Sequence, residues 1–256
     1  MGSEPGADAG APRVSIVMPA YDEADAIEPV LARINEQVSL PHEVLVVVDD
    51  PDDTTVAAVR AFDPDEATSR IVVNDVARGP AHAIRAGFKA AASPVVVVTM
   101  ADGSDDPAQI DVLTRLVDRG VVVAAASRYM RGGQQVGGSA AKKSLSAGAG
   151  ASLRFLARTG ISDATNSFKA YDKSFVESVG IHSVAGFEVG LELVAKARRT
   201  RQMMAEVPTI WLDRSIGSSN FRLVSWLPHY LRWYRFAFGP RLTPDEVWQL
   251  CEPAGR

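Results

Sequence analysis

Three carboxylates crowd the end of a strongly hydrophobic stretch of the chain. Asp102, Asp105 and Asp106 follow the apolar run from Val95 to Val98. Carboxylates this close repel one another unless a cation or a row of hydrogen-bond donors meets them. Two interpretations stay open from these residues alone. One is a solvated loop in which Asp106 opens the next helix, and the other is an oxygen-rich site for Mg2+ or Mn2+.

The elements that would position these acids alternate regularly. Continuous apolar strands and helices of 3.6-residue periodicity succeed each other five times, with strands at 14–21, 42–50, 69–75, 94–102 and 121–129. This pattern predicts an α/β fold, a mostly parallel sheet covered by helices on both faces. Ligands of such folds bind at the carboxyl ends of the strands, where this chain places a row of acids and Arg128.

The second half of the chain is less regular. Residues 131–150 are rich in glycine, serine and lysine and are expected to be mobile at their start. A helix is predicted at 187–199 and a single strand at 203–212. The glycine-rich signatures of P-loop and dinucleotide-binding proteins are absent from the sequence.

The bulk composition is typical of a globular protein. The chain has 256 residues, of which 46% are hydrophobic and 23% charged. A net charge of -4 and a pI near 5.6 argue against nucleic acid as a partner. The single cysteine, Cys251, fits a reducing cytoplasm. The first twelve residues are expected to be a disordered tail, and no run approaches the ~18 apolar residues that cross a bilayer.

Seven segments, taken in order, resemble family 2 glycosyltransferases of the GT-A fold. Among them are SIVMPAYDEADAI, VLVVVDDPDDTT, ARGPAHAIRAGF, MADGSDDP and ASRYMRGG, and the similarity is closest to the dolichol- or polyprenyl-phosphate mannose synthase branch. The resemblance implies one Rossmann-like GT-A domain at residues 13–222. This domain would lie between the tail, residues 1–12, and an aromatic and basic helical extension, residues 223–256.

The resemblance implies a donor site for a nucleoside-diphosphate sugar. Carboxylates suit nucleotide binding because they accept hydrogen bonds from ring N–H groups and ribose hydroxyls. The residues that match the family's nucleotide-binding positions are Pro19, Tyr21, Glu23, Asp49, Asp50 and Gly79. For Asp22 and Glu23 a second interpretation stays open, in which their charge complements the dipole of the next helix.

The acidic motif implies Mg2+ or Mn2+ as cofactor. Asp102 matches the second aspartate of the family's Asp-x-Asp motif and would hold the metal against the diphosphate. Met100 stands where the family has the first aspartate, and Asp105 is the candidate replacement ligand. Asp106 is assigned to capping.

Basic residues are expected to meet phosphate groups. By resemblance, Arg128, Lys142 and Ser146, with Lys143 as a close second, bind the acceptor's phosphate. For the two lysines, a solvated basic face is the alternative. A later motif closes over the diphosphate through Arg214, Gly217 and Ser219, and an arginine fork suits two phosphate oxygens.

The implied reaction is a direct, inverting displacement with Asp102, Arg128 and Arg214 as catalytic residues. A polyprenyl phosphate acceptor is already ionised and needs no general base, whereas an alcohol or amine does. Asp163 and Glu188 are the candidates for such a base, and Asp163 has the alternative role of orienting the loop of Lys142.

The extension bears on the location and partners of the protein. Its aromatic and basic side chains suit a membrane interface, the protein core or a homodimer interface; they are Trp226, Tyr230, Arg232, Trp233, Tyr234 and Arg235. A cytoplasmic protein, with peripheral contact at the inner face of the membrane, is expected. Two alternatives remain: a soluble or carrier-bound small-molecule acceptor, and a nucleotide-sugar-binding protein that has lost activity.

Overall fold

The computed structural model describes residues 11–213 and 223–252, with residues 142 and 223–225 described through their backbone alone. The first half contains β1 (Val14–Pro19), α1 (Ala24–Gln37), β2 (His42–Val48), α2 (Thr54–Phe62), β3 (Ser69–Val73), α3 (Pro80–Ala90), β4 (Val95–Val98), α4 (Gln109–Val117) and β5 (Val123–Ser127). The second half contains β6 (Gln134–Val136), α5 (Ala140–Phe155), β7 (Lys169–Asp172), α6 (Lys173–Val179), α7 (Val189–Arg199), β8 (Met204–Pro208), β9 (Ile210–Leu212), α8 (Leu223–Phe236) and α9 (Pro244–Cys251).

Seven strands form one sheet in the order β3-β2-β1-β4-β7-β5-β8. Its neighbours pair in parallel except for β7, which runs antiparallel between β4 and β5. Strands β6 and β9 form a separate two-stranded parallel sheet. The predicted α/β fold with a mostly parallel sheet is confirmed, and the inserted antiparallel strand was not predicted.

Apolar side chains cover both faces of the large sheet. One cluster joins the sheet to α1, α2 and α4, and the other joins it to α3, α6, α7 and α8. Helix α3 lies close to β1 because residue 87 is glycine. A Cβ at Gly87 would overlap the side chain of Val17.

The region predicted to be irregular contains most of helix α5. The helix approaches the loop before β7 closely, since a Cβ at Gly150 would overlap the carbonyl oxygen of Ser162. The strand predicted at 203–212 breaks after Pro208, which lacks an N–H donor. Thr209 then donates its backbone N–H to the carbonyl of Ser127 at 3.1 Å, and the chain leaves the large sheet to pair with β6.

The C-terminal helices belong to the same core as the sheet. Trp233 of α8 is 1% exposed, and Val247 and Cys251 of α9 are buried. The core-packing alternative for the aromatic extension is therefore confirmed for Trp233, while Leu227 and Leu231 are exposed. The domain boundary at 222 falls outside the described residues and stays a prediction. Among the described helices, none has both the length and the apolar character needed to cross a bilayer.

Candidate active site

The parallel register brings the predicted site residues to one edge of the sheet. Strands β1, β2 and β4 are in parallel register, and β5 runs in the same direction because β7 is antiparallel to both β4 and β5. Their carboxyl ends therefore meet at one edge. That edge carries Tyr21, Asp49, Asp102 and Arg128 in the segments that follow these four strands.

The loop after β1 is held against the start of α2. Asp22 has a left-handed φ of 52°, and its N–H donates to Asp53 Oδ2 at 3.1 Å. The N–H of Glu23 donates to Thr55 Oγ1 at 3.0 Å. Glu23 is the N-cap residue of α1 and makes no side-chain capping bond, while Tyr21 is 59% exposed. The loop backbone is thus fixed while the Tyr21 ring stands at the surface.

Two predicted nucleotide-binding residues contact each other directly. Asp49 Oδ2 accepts the backbone N–H of Gly79 at 2.6 Å, and its Oδ1 accepts Asn74 Nδ2 at 2.7 Å. Gly79 has a φ of 119°, a conformation that L side chains rarely adopt. The Asp49 carboxylate therefore fixes the start of α3 beside the end of β2.

Asp50, the next residue, forms an ion pair that the sequence did not predict. Its Oδ2 lies 2.8 Å from Arg78 Nη2, and both side chains are largely exposed. An exposed pair of this kind contributes at most about 1 kcal/mol to stability. The pair therefore matters more for the two polar side chains that it places at the predicted ribose and base site than as a stabilising contact.

Two acids in the loop after β4 differ in burial: Asp105 is buried and Asp102 is half-buried. Asp105 is 6% exposed, and its Oδ2 accepts Thr99 Oγ1 at 3.0 Å and the N–H of Met100 at 3.1 Å. Burial and the nearby Asp102 carboxylate raise the pKa of Asp105 to about 7. Asp102 is half-buried and its Oδ1 accepts the N–H of Ser104 at 3.0 Å. Asp105 holds the loop together, and its role as a ligand stays a prediction.

The prediction that Asp106 caps α4 is wrong. Its Oδ1 accepts the N–H of Ala108 at 3.2 Å, whereas the N-cap residue of α4 is Ala108, which has no side-chain cap. Asp106 therefore supports the turn that precedes the helix rather than capping the helix itself.

The donor set fits a magnesium or manganese ion that is shared with a substrate. Among the described residues, no group of three or more Asp, Glu, His or Cys side chains would hold a metal. Mg2+ is commonly bound by one or two carboxylates together with substrate phosphates. A half-buried Asp102 at the carboxyl edge of the sheet meets that requirement.

Arg128 is held by a buried carboxylate. Its Nε lies 2.7 Å from Asp163 Oδ2 and its Nη2 lies 2.9 Å from Asp163 Oδ1, a bidentate pair. The guanidinium lies 5.0 Å from the ring centroid of Tyr129 and 5.9 Å from that of Trp211. The Arg128 side chain is 13% exposed and that of Asp163 is 0% exposed. The cation is therefore fixed in position at the end of β5.

A chain of hydrogen bonds connects Arg128 to Ser146. Asp163 Oδ1 accepts Thr165 Oγ1 at 3.5 Å, and Thr165 Oγ1 lies 2.6 Å from Ser146 Oγ on α5. Lys143 is exposed on the same helix. The predicted acceptor residues Arg128 and Ser146 are thus brought together through two residues, Asp163 and Thr165, that the sequence did not place beside them.

Both candidates for a general base are fully buried and hydrogen-bonded. Asp163 is committed to Arg128. Glu188 Oε1 accepts the N–H of Ala185 at 3.0 Å and its Oε2 accepts the N–H of Gly186 at 2.7 Å. The alternative for Asp163, that it orients the loop of Lys142, stays a prediction, because its carboxylate holds Arg128 and reaches α5 only through Thr165 and Ser146.

Lys169 was missed by the sequence analysis. It is fully buried in β7, and its Nζ donates to the carbonyl oxygens of Asn166 and Ala164. Burial, opposed in part by Asp163, lowers its pKa to about 7. These bonds hold the loop that carries Asp163 and Thr165. The only signal in the sequence was one charged residue inside a short apolar segment.

A groove begins at Tyr129, the residue after Arg128. It has a volume of about 520 Å3 and runs between the segment after β5 and the face of α5. Met130, Ala147, Ala151 and Phe155 give it apolar lining, and Arg131, Arg154, Ser162 and Glu206 also line it. The predicted diphosphate residues Arg214, Gly217 and Ser219, and the side chain of Lys142, lie outside the described residues.

Comparison with known proteins identifies the family of the chain. The model of Glycosyl transferase family 2 matches residues 15–180. A dolichol-phosphate mannosyltransferase of Pyrococcus furiosus is 29% identical over 86% of this chain, and the match spans 63% of that protein's length. A polyprenol monophosphomannose synthase of Mycolicibacterium smegmatis is 28% identical over 86% of this chain and 84% of its own length.

A solved structure shares the fold at low sequence identity. Glucosyl-3-phosphoglycerate synthase from Mycobacterium tuberculosis, in complex with Mn2+, UDP and phosphoglyceric acid, superposes with a TM-score of 0.67. It is 16% identical, over 90% of this chain and 80% of the other. Because the family model covers more than half of the 256 residues, the chain belongs to glycosyl transferase family 2.

Proposed function

We propose that this protein is a metal-assisted, inverting glycosyltransferase that moves a sugar from a nucleoside-diphosphate sugar to a polyprenyl phosphate. The observation that carries the proposal is the division of one sheet edge into two halves. One half contains the carboxylates of Asp49, Asp50 and Asp102, of which Asp50 pairs with Arg78, and the other contains the Arg128 guanidinium, which Asp163 holds in place. The first half suits a nucleotide and a divalent cation, and the second suits an anionic acceptor.

The donor would lie along the ends of β1, β2 and β4. Pro19, Tyr21 and Glu23 would contact the nucleotide from one side, and Asp49, Asp50 and Gly79 from the other. Asp102 would hold Mg2+ or Mn2+, which, when bound, neutralises negative charge on the departing diphosphate. Arg214, Gly217 and Ser219 are proposed to close over the same diphosphate.

The acceptor's phosphate would be bound by Arg128, Lys142, Lys143 and Ser146. Its prenyl chain would follow the groove between the segment after β5 and α5, along the side chains of Met130, Ala147, Ala151 and Phe155. The names of the two relatives, both enzymes of dolichol or polyprenol phosphate, support this acceptor.

The contacts of Asp163 and Glu188 favour a phosphate over a hydroxyl as nucleophile. A hydroxyl acceptor has to lose a proton to a base during transfer, whereas a phosphate oxygen is already ionised at neutral pH. Asp163 is committed to Arg128 and Glu188 to two backbone N–H groups. In the proposed step the phosphate oxygen attacks the anomeric carbon, the bond to the diphosphate breaks, and the configuration inverts.

A lipid acceptor requires the protein to work at a membrane surface. Helix α8 exposes Leu227 and Leu231, together with the exposed basic residues Arg232 and Arg235. This face, rather than the buried ring of Trp233, would make the predicted peripheral contact at the inner face of a membrane.

A transfer assay tests the proposal. The full chain is given UDP- and GDP-sugars with Mn2+ or Mg2+, and one of three acceptors: a short polyprenyl phosphate, the matching polyprenol, and 3-phosphoglycerate. We expect product with the polyprenyl phosphate alone. Equal transfer to the polyprenol would contradict the phosphate as nucleophile, and transfer to 3-phosphoglycerate alone would replace the lipid acceptor by a soluble one. Donor binding without transfer would identify a binding protein that has lost activity.

A further inference from the structure

An open cavity of about 520 Å3 lies at the amino ends of the strands, opposite the candidate active site at their carboxyl ends. Among the residues that the structure describes, its lining includes four arginines, Arg158, Arg198, Arg201 and Arg241, and no Asp or Glu. Met204, another lining residue, begins β8 and pairs with Val123 at the start of β5. The cavity therefore lies at the amino ends of the strands whose carboxyl ends lead to Arg128, about 15 Å away along a five-residue strand.

These arginines differ from two nearby arginines in the partners that the described residues offer them. Arg154 pairs with Glu206 and Arg128 with Asp163. Within the described part of the chain, none of the four cavity arginines lies in an ion pair. Four like charges around one cavity repel one another, and an anion between them would relieve that repulsion. Their grouping in a protein of net charge -4 needs an explanation beyond average composition.

The cavity is built by specific contacts rather than by loose surface side chains. Arg198 is half-buried, donates through Nε to the carbonyl of Ala157 at 2.8 Å, and donates through Nη1 to the carbonyl of Gly239. Beside it, Arg199 stacks over Phe236 at 4.4 Å, and a Cβ at Gly239 would lie 2.6 Å from the Arg199 guanidinium carbon. The cavity wall is therefore fixed at Arg198.

Two of the arginines occupy backbone positions where glycine is usual. Arg158 follows the end of α5 with a φ of 57°, and Arg201 follows the end of α7 with a φ of 56°. Cations near a helix C-terminus complement its dipole, but any residue of the last turn can supply that charge without left-handed strain. The left-handed position is unfavourable for arginine and natural for glycine. Its use at both helix ends that line the cavity indicates a role for the side chains.

From this geometry we infer that the arginine cavity is a binding site for a phosphate group, separate from the candidate active site. Guanidinium forks bind phosphate oxygens in pairs. The phosphate has two possible sources, an anionic lipid headgroup and a free phosphorylated molecule. Exposed apolar side chains next in sequence to the lining residues, Met203 and Phe238, are the reason to test a lipid surface.

The test uses the full chain and the double variant Arg158→Gly/Arg201→Gly. Glycine removes both charges while favouring the observed backbone, so we expect an unchanged or higher melting temperature. The control Arg60→Ala/Arg119→Ala removes the same charge from exposed sites. One arm titrates inorganic phosphate at constant ionic strength and follows the Nε–Hε NMR signal of Arg198. The other measures co-sedimentation with vesicles of phosphatidylcholine, with and without phosphatidylglycerol.

We expect the glycine variant to bind at least about tenfold more weakly than the control in one or both arms. Loss confined to the vesicle arm would assign the site to a lipid headgroup, and loss confined to the phosphate arm would assign it to a soluble molecule. Equal binding by the glycine variant and the control would overturn the inference. The inference would also be overturned if the wild-type protein showed no change of the Arg198 signal with phosphate and no binding to anionic vesicles.

Discussion

Two buried ion pairs in this protein each join a basic and an acidic side chain, but they differ in the exposure of the cation. Arg128 and Asp163 join the end of β5 to the loop before β7, and Lys196 and Glu192 join two turns of α7. Both members of the α7 pair are 0% exposed, whereas the Arg128 side chain keeps 13% of its surface. Buried pairs of either kind contribute little net stability compared with apolar residues of similar volume. The parts of the structure that each pair holds in place therefore say more about its role than its contribution to stability does.

The Lys196–Glu192 pair of α7 is fully buried, and several other protein groups contact it. Lys196 Nζ also donates to the carbonyls of Val179 and Gly180 and lies 5.2 Å from the ring centroid of Trp233. Glu192 accepts the N–H groups of His182 and Ser183 at 2.7 and 2.8 Å. This network connects α6, α7 and α8, so its role is to hold the C-terminal helices on the sheet.

The β5 pair leaves its cation at the ligand edge. Asp163 uses both oxygens on Arg128, and the Arg128 side chain keeps 13% of its surface exposed. The comparison shows that the burial of a charge does not by itself identify a functional residue. Access of the cation to the carboxyl edge of a parallel sheet is the distinguishing property.

The largest expected effect belongs to Arg128→Ala. Transfer to a polyprenyl phosphate should fall by about 10²-fold or more, because removing one placed group that stabilises transition-state charge has an effect of that size. Initial rates per mole of folded protein measure it, with nucleotide binding recorded beside them. Lys196→Met is the matched control, since it removes a buried cation of the other pair. A normal rate in Arg128→Ala would contradict the proposed acceptor site.

The stability counterpart is Glu192→Gln. Glutamine retains an acceptor oxygen but leaves Lys196 buried without its counter-ion, a change that costs about 3–5 kcal/mol. For a chain of this size the melting temperature should fall by roughly 6–20 °C. Calorimetry of the variant and of wild type measures the difference. A fall below 2 °C would contradict the structural role of the α7 pair. A folded variant that has lost transfer activity would show that the α7 pair also affects the candidate active site.

The acid dependence of stability sharpens the same comparison. Burial alone would raise the pKa of Glu192, but Lys196 and the hydrogen bonds outweigh it and lower the pKa to about 2. The unfolded value is 4.5, so the contribution is fully present above pH 4.5 and is lost as the pH falls towards 2. Urea unfolding from pH 5 to pH 3 should show a steeper loss in wild type than in Glu192→Gln. Parallel curves would contradict the lowered pKa.

The smallest expected effect belongs to Ser146→Ala. The variant breaks the hydrogen bond to Thr165 Oγ1 and removes one proposed contact to an ionised phosphate, a hydrogen bond of about 1.5 kcal/mol. KM for the acceptor should rise about tenfold with KM for the donor unchanged. Ser152→Ala on the same helix is the control, because Ser152 bonds Tyr234 instead. Equal kinetics of the two variants would remove Ser146 from the site.

The local parts of this structure could be predicted from the sequence, and the non-local parts could not. Continuous valine-rich runs predict β2 and β4 because strands of a parallel sheet are buried on both faces. Strand β7 has four residues, and its buried Lys169 interrupts the apolar pattern. Helix α5 contains two glycines, and only the close approach of Ser162 explains why Gly150 is tolerated.

The same limit applies to the candidate site. Acids and Arg128 at strand ends are visible in the sequence because the carboxyl edge collects them. Arg128 and Asp163 are 35 positions apart in the sequence, and no local sequence pattern predicts that they pair. The inward orientation of Asp105 likewise depends on Thr99 Oγ1 and the Met100 N–H, which become neighbours only when the loop folds back on the strand end.

The most direct test of the central claim is nucleotide binding measured by thermal shift. UDP, GDP, CDP and dTDP are each added with and without Mn2+ or Mg2+ to wild type, Asp102→Asn and the control Asp106→Asn. A ligand that binds the native state alone raises the melting temperature with its concentration over Kd. The proposal predicts that one nucleotide stabilises wild type and Asp106→Asn, that the shift depends on the metal, and that Asp102→Asn loses it. No shift with any nucleotide, or an equal shift in Asp102→Asn, would contradict it.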